Sequence, residues 1–163
     1  HSPGLRSNGY SLARKVFFDI AKKSITDPVW SGADATVGQE LLLPSVIYTP
    51  TILKILEQEP IKAIAHITGG GLPGNVNRVL PKTADAQIFK EAWEPPKVFT
   101  EIQSLGNIDQ SEMYTVFNMG IGMALVIDQQ SISNIQKIID SMGLSSTEIG
   151  TIQANGTGSV RLI

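Results

Sequence analysis

Apolar residues recur at helical spacing at Leu12, Val16, Phe17 and Ile20, just behind Asn8-Gly9. The pattern predicts an amphipathic helix over residues 10–23, with Ser7 or Asn8 placed to cap it. Residues 24–39 are polar and rich in small side chains, and read as a loop holding at most a short helix. Pro50 then suits a helix start, and Ile52, Leu53, Ile55 and Leu56 supply that helix with an apolar stripe. A strand is expected over 61–66, followed by a glycine loop and a short helix over 74–80 that Pro81 stops. Residues 86–89 suit another strand, and Pro95-Pro96 opens a helix that Gly106 closes. A short helix over 109–115, a strand over 122–127 and an amphipathic helix over 131–142 come next. Two final strands, 149–153 and 159–162, are expected to form a hairpin around Asn155-Gly156. Mixed helices and strands with a closing hairpin favour an α+β fold, a mixed sheet packed with helices, over a doubly wound parallel sheet.

Composition narrows the function more than the fold. The chain has 163 residues, the size of one domain with a full core, and a formal net charge of −2. That charge lacks the basic footprint of a nucleic-acid binder. The basic pairs Arg14-Lys15 and Lys22-Lys23 sit at helical spacing opposite the apolar stripe, as a solvated face would. There is no cysteine, which excludes disulfides, thiolate metal sites and cysteine nucleophiles and fits a cytoplasmic protein. No apolar run reaches the roughly 18 residues of a membrane span, so no membrane partner is expected. The chain opens His1-Ser2-Pro3-Gly4 without an initiator methionine, as an added residue or a piece of something longer would.

The densest chemistry lies in His66-Ile67-Thr68-Gly69-Gly70-Gly71-Leu72-Pro73-Gly74. Consecutive glycines let the backbone take positive φ and approach a ligand closely. A helix starting beside them would add free N–H groups and a positive dipole end, which suits a phosphate. The same glycines would also serve a plain strand-to-helix turn. The nucleotide P-loop pattern fails, because Asn75 stands where its lysine must be. Gly69, Gly71 and Gly74 do satisfy the dinucleotide pattern, with Glu91 beyond a second strand. Against that reading, Pro81 leaves too little room for a crossover helix and Pro73 interrupts the loop.

Two other segments set polar residues among apolar ones. Arg6, Ser7 and Asn8 precede a helix start, where Arg6 could grip an anion in forked geometry or merely decorate a cap. Asn118, between Phe117 and Met119, would be costly to bury unpartnered, and either binds a ligand or ties its own turn. His66 is the candidate acid–base residue, with no carboxylate nearby in sequence to orient it. Two histidines and no Asp/Glu cluster leave no metal site to expect.

The segments 4–16, 66–71 and 112–123, in that order and spacing, resemble the C-terminal domain of the aminoimidazole ribonucleotide synthetase family, also called phosphoribosylformylglycinamidine cyclo-ligases. The resemblance runs from about Gly4 to the end. The glycine segment also recurs across a wider superfamily, which includes formylglycinamide ribonucleotide amidotransferase, selenophosphate synthetase, thiamine-phosphate kinase and a hydrogenase maturation protein. Phe117-Asn118-Met119-Gly120 is the part most specific to the cyclo-ligase. The resemblance implies a partly ferredoxin-like mixed α+β domain over 1–163, with an N-terminal ATP-binding domain absent from this chain. It implies ATP-dependent ring closure of formylglycinamidine ribonucleotide to aminoimidazole ribonucleotide, in purine biosynthesis, by a homodimeric full-length enzyme. ATP and Mg2+ would be held mostly by the absent domain, so this chain alone would be inactive. Arg6, Ser7, Asn8, Thr68, Gly69, Gly70, Gly71 and Asn118 would bind substrate or phosphate, with His66 the catalytic candidate. Family members often carry histidine where Arg6 stands; arginine there still suits an anion but not proton transfer. The alternative is a non-catalytic binding domain of another superfamily member, of amidotransferase or selenophosphate synthetase type.

Overall fold

The computed structural model describes residues 1–154 and 156–163. Helix α1, Tyr10–Arg14, runs on as a π-helical segment, Lys15–Ile20, and buries Ala13, Val16 and Phe17. Each π-turn takes one residue more than an α-turn, so the stripe slips and Ile20 emerges half exposed. Neither Ser7 nor Asn8 caps this helix. Its N-cap is Gly9 at φ +80°, without a side-chain cap. Helix α2, Val37–Leu41, is fixed by a capping box: Thr36 Oγ1 accepts from Gln39 N at 3.2 Å, and Gln39 Oε1 accepts from Thr36 N at 2.8 Å.

Pro50 does lie in the first turn of α3, Thr49–Leu56, but the expected stripe is narrower than its apolar residues. Thr51 and Ile55 are buried, whereas Leu53 and Leu56 stay about half exposed. Ile55 packs into a small satellite core with Ile135 and Ile139, so one line of this two-turn helix meets the protein.

Strand β1, Ala63–His66, leads into α4, Gly71–Val79, and then β2, Ala84–Ile88. Helix α4 begins three residues earlier than the pattern suggested. Pro73 fits its first turn, where amide hydrogens have no intrahelical acceptor. After a 3-10 turn, Lys90–Ala92, come α5, Lys97–Gly106, α6, Gln110–Val116, and β3, Met123–Val126. At the end of α5 the left-handed residue is Asn107, not Gly106. Gly106 is instead needed for packing, since a Cβ there would lie 2.8 Å from Val16 Cγ2. Helix α7, Ile132–Ser141, precedes β4, Gly150–Ala154, and β5, Val160–Leu162.

The strands form two sheets, antiparallel β1-β3 and mixed β4-β2-β5. The expected terminal hairpin does not form as such: β4 and β5 flank β2, antiparallel and parallel to it, and do not pair with each other. The turn expected at Asn155-Gly156 lies partly outside the described residues. Asp85 explains the separation. Its Oδ1 accepts from Thr157 N at 2.7 Å and Ser159 N at 2.8 Å, so the returning chain is held across the end of β2. β1 and β2 belong to different sheets, which rules out the dinucleotide-binding βαβ unit. The result is α+β, with the main core of Phe17, Phe99, Phe117, Ile67, Leu72 and Ile102 under α1, α4, α5 and α6.

Candidate functional site

Strand β1 ends at His66, and the next five residues place most of the polar groups of interest. Ile67 is fully buried and donates its amide to Gly122 O at 3.1 Å, which anchors the base of the glycine turn to the approach of β3. Beyond it the chain turns through Gly70 at φ +96° and Gly71 at φ +63° into α4.

Asn75, one turn into α4 and 5 % exposed, decides how that turn faces. Its Nδ2 donates to the carbonyls of Thr68 at 3.1 Å, Gly69 at 3.3 Å and Gly71 at 2.7 Å. In a trans peptide C=O and N–H point in opposite directions, and among the described residues there is no cis bond. Carbonyls gathered on Asn75 therefore turn the amides of Gly69, Gly70 and Leu72 away from it. The Gly71 amide turns back onto Thr68 O at 3.0 Å. Asn75 Oδ1 in turn accepts from Thr68 Oγ1 at 3.2 Å and from Arg78 Nη1 at 3.0 Å.

The three glycines have different reasons to be glycine. At Gly71 a Cβ would sit 1.8 Å from Tyr114 O, so the turn lies directly on the backbone of α6. Gly70 is required by its positive φ. At Gly69 nothing lies within 4 Å of a Cβ, and no neighbour demands its absence.

At the root of the turn stands Arg6, 8 % exposed. Its Nη1 donates to Gly122 O at 3.3 Å and to Tyr48 Oη at 3.5 Å, and its Nη2 to Ile67 O. The guanidinium carbon lies 5.7 Å from the Tyr48 ring centroid, and Nε is buried without a partner. Among the described residues neither Arg6 nor Arg78 makes an ion pair. A buried guanidinium that meets carbonyls and a phenol has hydrogen-bond partners but no opposite charge among the described residues. Gly122 makes the arrangement possible, since a Cβ there would fall 1.8 Å from Tyr48 Oη and 2.8 Å from Arg6 Nη1.

His66 is exposed, with its ring edge-on to Tyr48 at 6.4 Å between centroids. Partial burial, and then the Arg6 charge, lower its pKa below the usual histidine value. The imidazole is therefore neutral near pH 7 and able to take a proton. Burial raises the Tyr48 pKa against the opposing pull of Arg6, which keeps the phenol protonated.

Other expected site residues are turned towards the protein. Asn8 Nδ2 donates to Val116 O at 2.7 Å, tying the segment before α1 to the end of α6. Asn118, fully buried, donates to Gly4 O at 2.9 Å and Leu5 O at 3.2 Å and accepts from Gly120 N at 2.8 Å. Of its two readings, the tie within its own turn is the one observed. Ser7 is exposed. Arg6 and His66 are thus grouped around Tyr48, Thr68–Gly71 around Asn75, and Asn8 and Asn118 tie neighbouring backbone segments together. Sequence reasoning missed Asn75, Arg78, Tyr48 and Gly122. Asn75 and Arg78 carried a usable signal, a polar pair at i, i+3 on the helix leaving the glycines. Tyr48 carried none, because only tertiary packing brings it to Arg6.

A cavity of about 920 Å³ lies elsewhere, between α3, α7, β3 and the face of β2 and β4. Its walls include Ile55, Leu125, Ile135, Ile139 and Ile152, and Tyr48, the phenol beside Arg6, also lines it. The glycine turn does not line it. Among the described residues there is no group of three or more His, Asp or Glu side chains that could hold a metal ion. The Gly69 and Gly70 amides, turned away from Asn75, are groups of the kind that can donate to an anion. No helix among the described residues is long and apolar enough to cross a membrane.

A mixed α+β domain that presents a glycine turn on a helix N-terminus is the class of protein defined so far. The family described as "AIR synthase related protein, C-terminal domain" matches residues 1–163, and the chain belongs to that family. It is 41 % identical to the phosphoribosylformylglycinamidine cyclo-ligase of Caldicellulosiruptor bescii, over 98 % of this chain and 47 % of that protein. Identity to the enzyme of the same name from Caldanaerobacter subterraneus subsp. tengcongensis is 44 %, over 99 % of the chain and 47 % of the relative. For that of Syntrophus aciditrophicus it is 42 %, over 93 % and 44 %. The chain thus spans about half the length of the curated relatives it matches. The crystal structure of E. coli HypE, a hydrogenase maturation protein, shares the fold at a TM-score of 0.51 and 18 % identity, covering 72 % of this chain and 36 % of that one.

Proposed function

We propose that this chain is the C-terminal, substrate-side half of a phosphoribosylformylglycinamidine cyclo-ligase, with residues 1–163 forming one domain. In that reaction ATP phosphorylates the formyl oxygen of formylglycinamidine ribonucleotide. An amidine nitrogen then attacks the activated carbon, phosphate leaves, and loss of a proton gives the aminoimidazole ring. Support comes from the cyclo-ligase name carried by relatives 41–44 % identical over nearly the whole chain. The likeness to HypE supports only the shared fold, so the amidotransferase or selenophosphate synthetase alternative gains nothing from it.

The observation that carries the reading is the orientation of the glycine turn by Asn75. Free amides at Gly69 and Gly70 and the positive end of α4 form an anion site on the outer surface, where the other half of the enzyme would close over it. In this reading Arg6, Ser7 and Thr68 would contribute to the cleft that the two halves share, and Asn8 and Asn118 would hold its floor. His66, neutral beside Arg6, is placed to accept the proton released on ring closure. ATP and Mg2+ would be held by the other half, as would the contacts of a homodimer, in the cytoplasmic setting of purine biosynthesis. The isolated chain is then inactive, because phosphoryl transfer depends on metal and phosphate contacts it does not supply.

Gly69 is the position at which to test this, because a side chain there meets nothing in the fold. Gly69→Val, made in the polypeptide of the relatives' full length, is expected to fold normally and to lose aminoimidazole ribonucleotide formation by about a hundredfold or more, the scale set by a misplaced binding group. The assay is colorimetric detection of the amine product. Wild-type turnover in this variant would remove the phosphate role of the turn.

A further inference from the structure

Two strand edges lack partners, and both line the cavity between α3, α7 and the sheets. Gly122 O and Val126 O accept from Ile67 N and Lys62 N on the β1 side. Successive peptides of a strand face opposite edges, so the amides and carbonyls of Met123, Leu125 and Ile127 face away from β1. Ile149 O accepts from Phe89 N, which likewise turns Gly150 and Ile152 away from β2. β3 pairs only with β1, and β4 only with β2. Among the described residues these outward backbone groups have no hydrogen-bond partner. Yet β3 is half-buried along its length, where unpaired backbone groups cost free energy. All five residues line the cavity of about 920 Å³.

The first residues of the chain lie at one end of the same cavity. His1 lines it, and its amino group donates to Ser145 O at 3.4 Å, shortly before β4. Ser2 N donates to Gly120 O at 2.7 Å, shortly before β3. Tyr48 Oη holds His1 O at 2.7 Å. A segment that reaches His1 through the cavity therefore ends where β3 and β4 begin, and runs antiparallel to both. β3, α7 and β4 then form a split βαβ unit, two parallel strands with a third between them.

We infer that this cavity is the slot for one more β-strand, supplied by the polypeptide immediately ahead of His1, which joins the two sheets into one of six strands in the order β1-β3-new-β4-β2-β5. This rests on the reading of the chain as the second half of a longer enzyme, and adds the surface by which the first half is attached. The size fits. At about 3.3 Å rise, 4.8 Å between strands and 10 Å between layers, a strand residue fills roughly 160 Å³, so the cavity takes about five or six. The chemistry of the occupant follows from the neighbouring strand. Ala124 packs on the main core, and Leu125 and Ile127 on the satellite core, so both faces of β3 are covered. A strand beside it is buried on both faces too, and reads as an unbroken apolar run without charges. Main-chain hydrogen bonds to both edges supply the affinity, as in other cases of strand addition.

The test is amide exchange followed by NMR, in the 163-residue chain, in the same chain extended by about ten of the residues that precede His1, and in the full-length polypeptide. Extension is expected to slow the Leu125, Ile127 and Ile152 amides by about a hundredfold or more, measured against Ala124 and Val126, which already face β1. Proline at the third or fourth residue ahead of His1 removes a donor from a strand paired on both sides, and should return part of that exchange. A ratio in the full-length polypeptide within threefold of the unextended chain refutes the inserted strand. So does slow exchange there that proline ahead of His1 leaves unchanged, since another segment then fills the slot. Protection that grows only with the concentration of the unextended chain assigns the slot to a second copy and equally overturns the inference. Aminoimidazole ribonucleotide formation by the full-length polypeptide is assayed separately, so failure of the strand and failure of the cyclo-ligase reading are told apart.

Discussion

Replacing Gly71 by alanine puts a methyl group 1.8 Å from Tyr114 O and 2.8 Å from the Tyr114 carbonyl carbon. An ordinary carbon–oxygen contact needs more than an ångström beyond the first of these, so α4 and α6 must move apart. Both are backbone atoms, and no side-chain rotation relieves the contact. Overpacking of this kind costs about 1–3 kcal/mol. Gly71 also sits at φ +63°, where an L side chain adds about 1–2 kcal/mol. Gly71→Ala should therefore lose roughly 2–5 kcal/mol, a large share of the roughly 5–15 kcal/mol typical of a domain. Gly70→Ala meets no atom closer than 3.5 Å and incurs only the φ +96° term, about 1–2 kcal/mol. Gly69→Ala should be neutral, or stabilising by about 0.5 kcal/mol through the unfolded chain. Urea unfolding of the three variants, followed by far-UV circular dichroism, measures the order directly. A Gly69→Ala loss equal to that of Gly71→Ala would refute the division between a glycine kept for packing and one with no neighbour that requires it.

Three further outcomes follow from the same geometry. Asn118→Leu removes two donors and an acceptor from a fully buried turn and strands the Gly4, Leu5 and Gly120 backbone groups, so a loss of about 3 kcal/mol or more is expected in denaturant titration. Asp85 has its pKa lowered by the Ser159 and Thr157 amides, so its contribution is present above the usual carboxylate pKa and fades as pH falls through the depressed one. In Asp85→Ala that acid-side loss should shrink, and protease cleavage around 156–159 should rise; an unchanged acid unfolding profile would contradict this. His66 has linkage of the same sign at higher pH, from a different cause. Its lowered pKa means that the folded state resists protonation, so stability declines as pH drops through the usual histidine value and levels off below the depressed one. Arg6→Gln should raise the His66 pKa, read from its ring proton shifts, and a pKa that does not move would show that Arg6 exerts no such field.

The glycine turn, the apolar face of α1 and the strands β1 and β3 were legible in the sequence because each depends on neighbours a few residues away. Period, proline and glycine placement and side-chain type are enough to bias such segments, and the family motifs lie within them. The sequence could not show that Leu53 and Leu56 stay exposed, since their burial depends on which elements reach α3 from elsewhere. It could not show that β4 and β5 are separated by β2, because adjacent strands pair by default unless a distant residue, here Asp85, holds the returning chain. Nor could it decide which way the turn's amides point. That choice belongs to Asn75, whose single carboxamide gathers three carbonyls, and to the backbone of α6 pressing on Gly71. Local pattern determined that a glycine turn would lead from a strand into a helix, and which family the chain belongs to. Tertiary packing decided its polarity, because peptide orientation is set by hydrogen-bond partners and not by the glycines themselves.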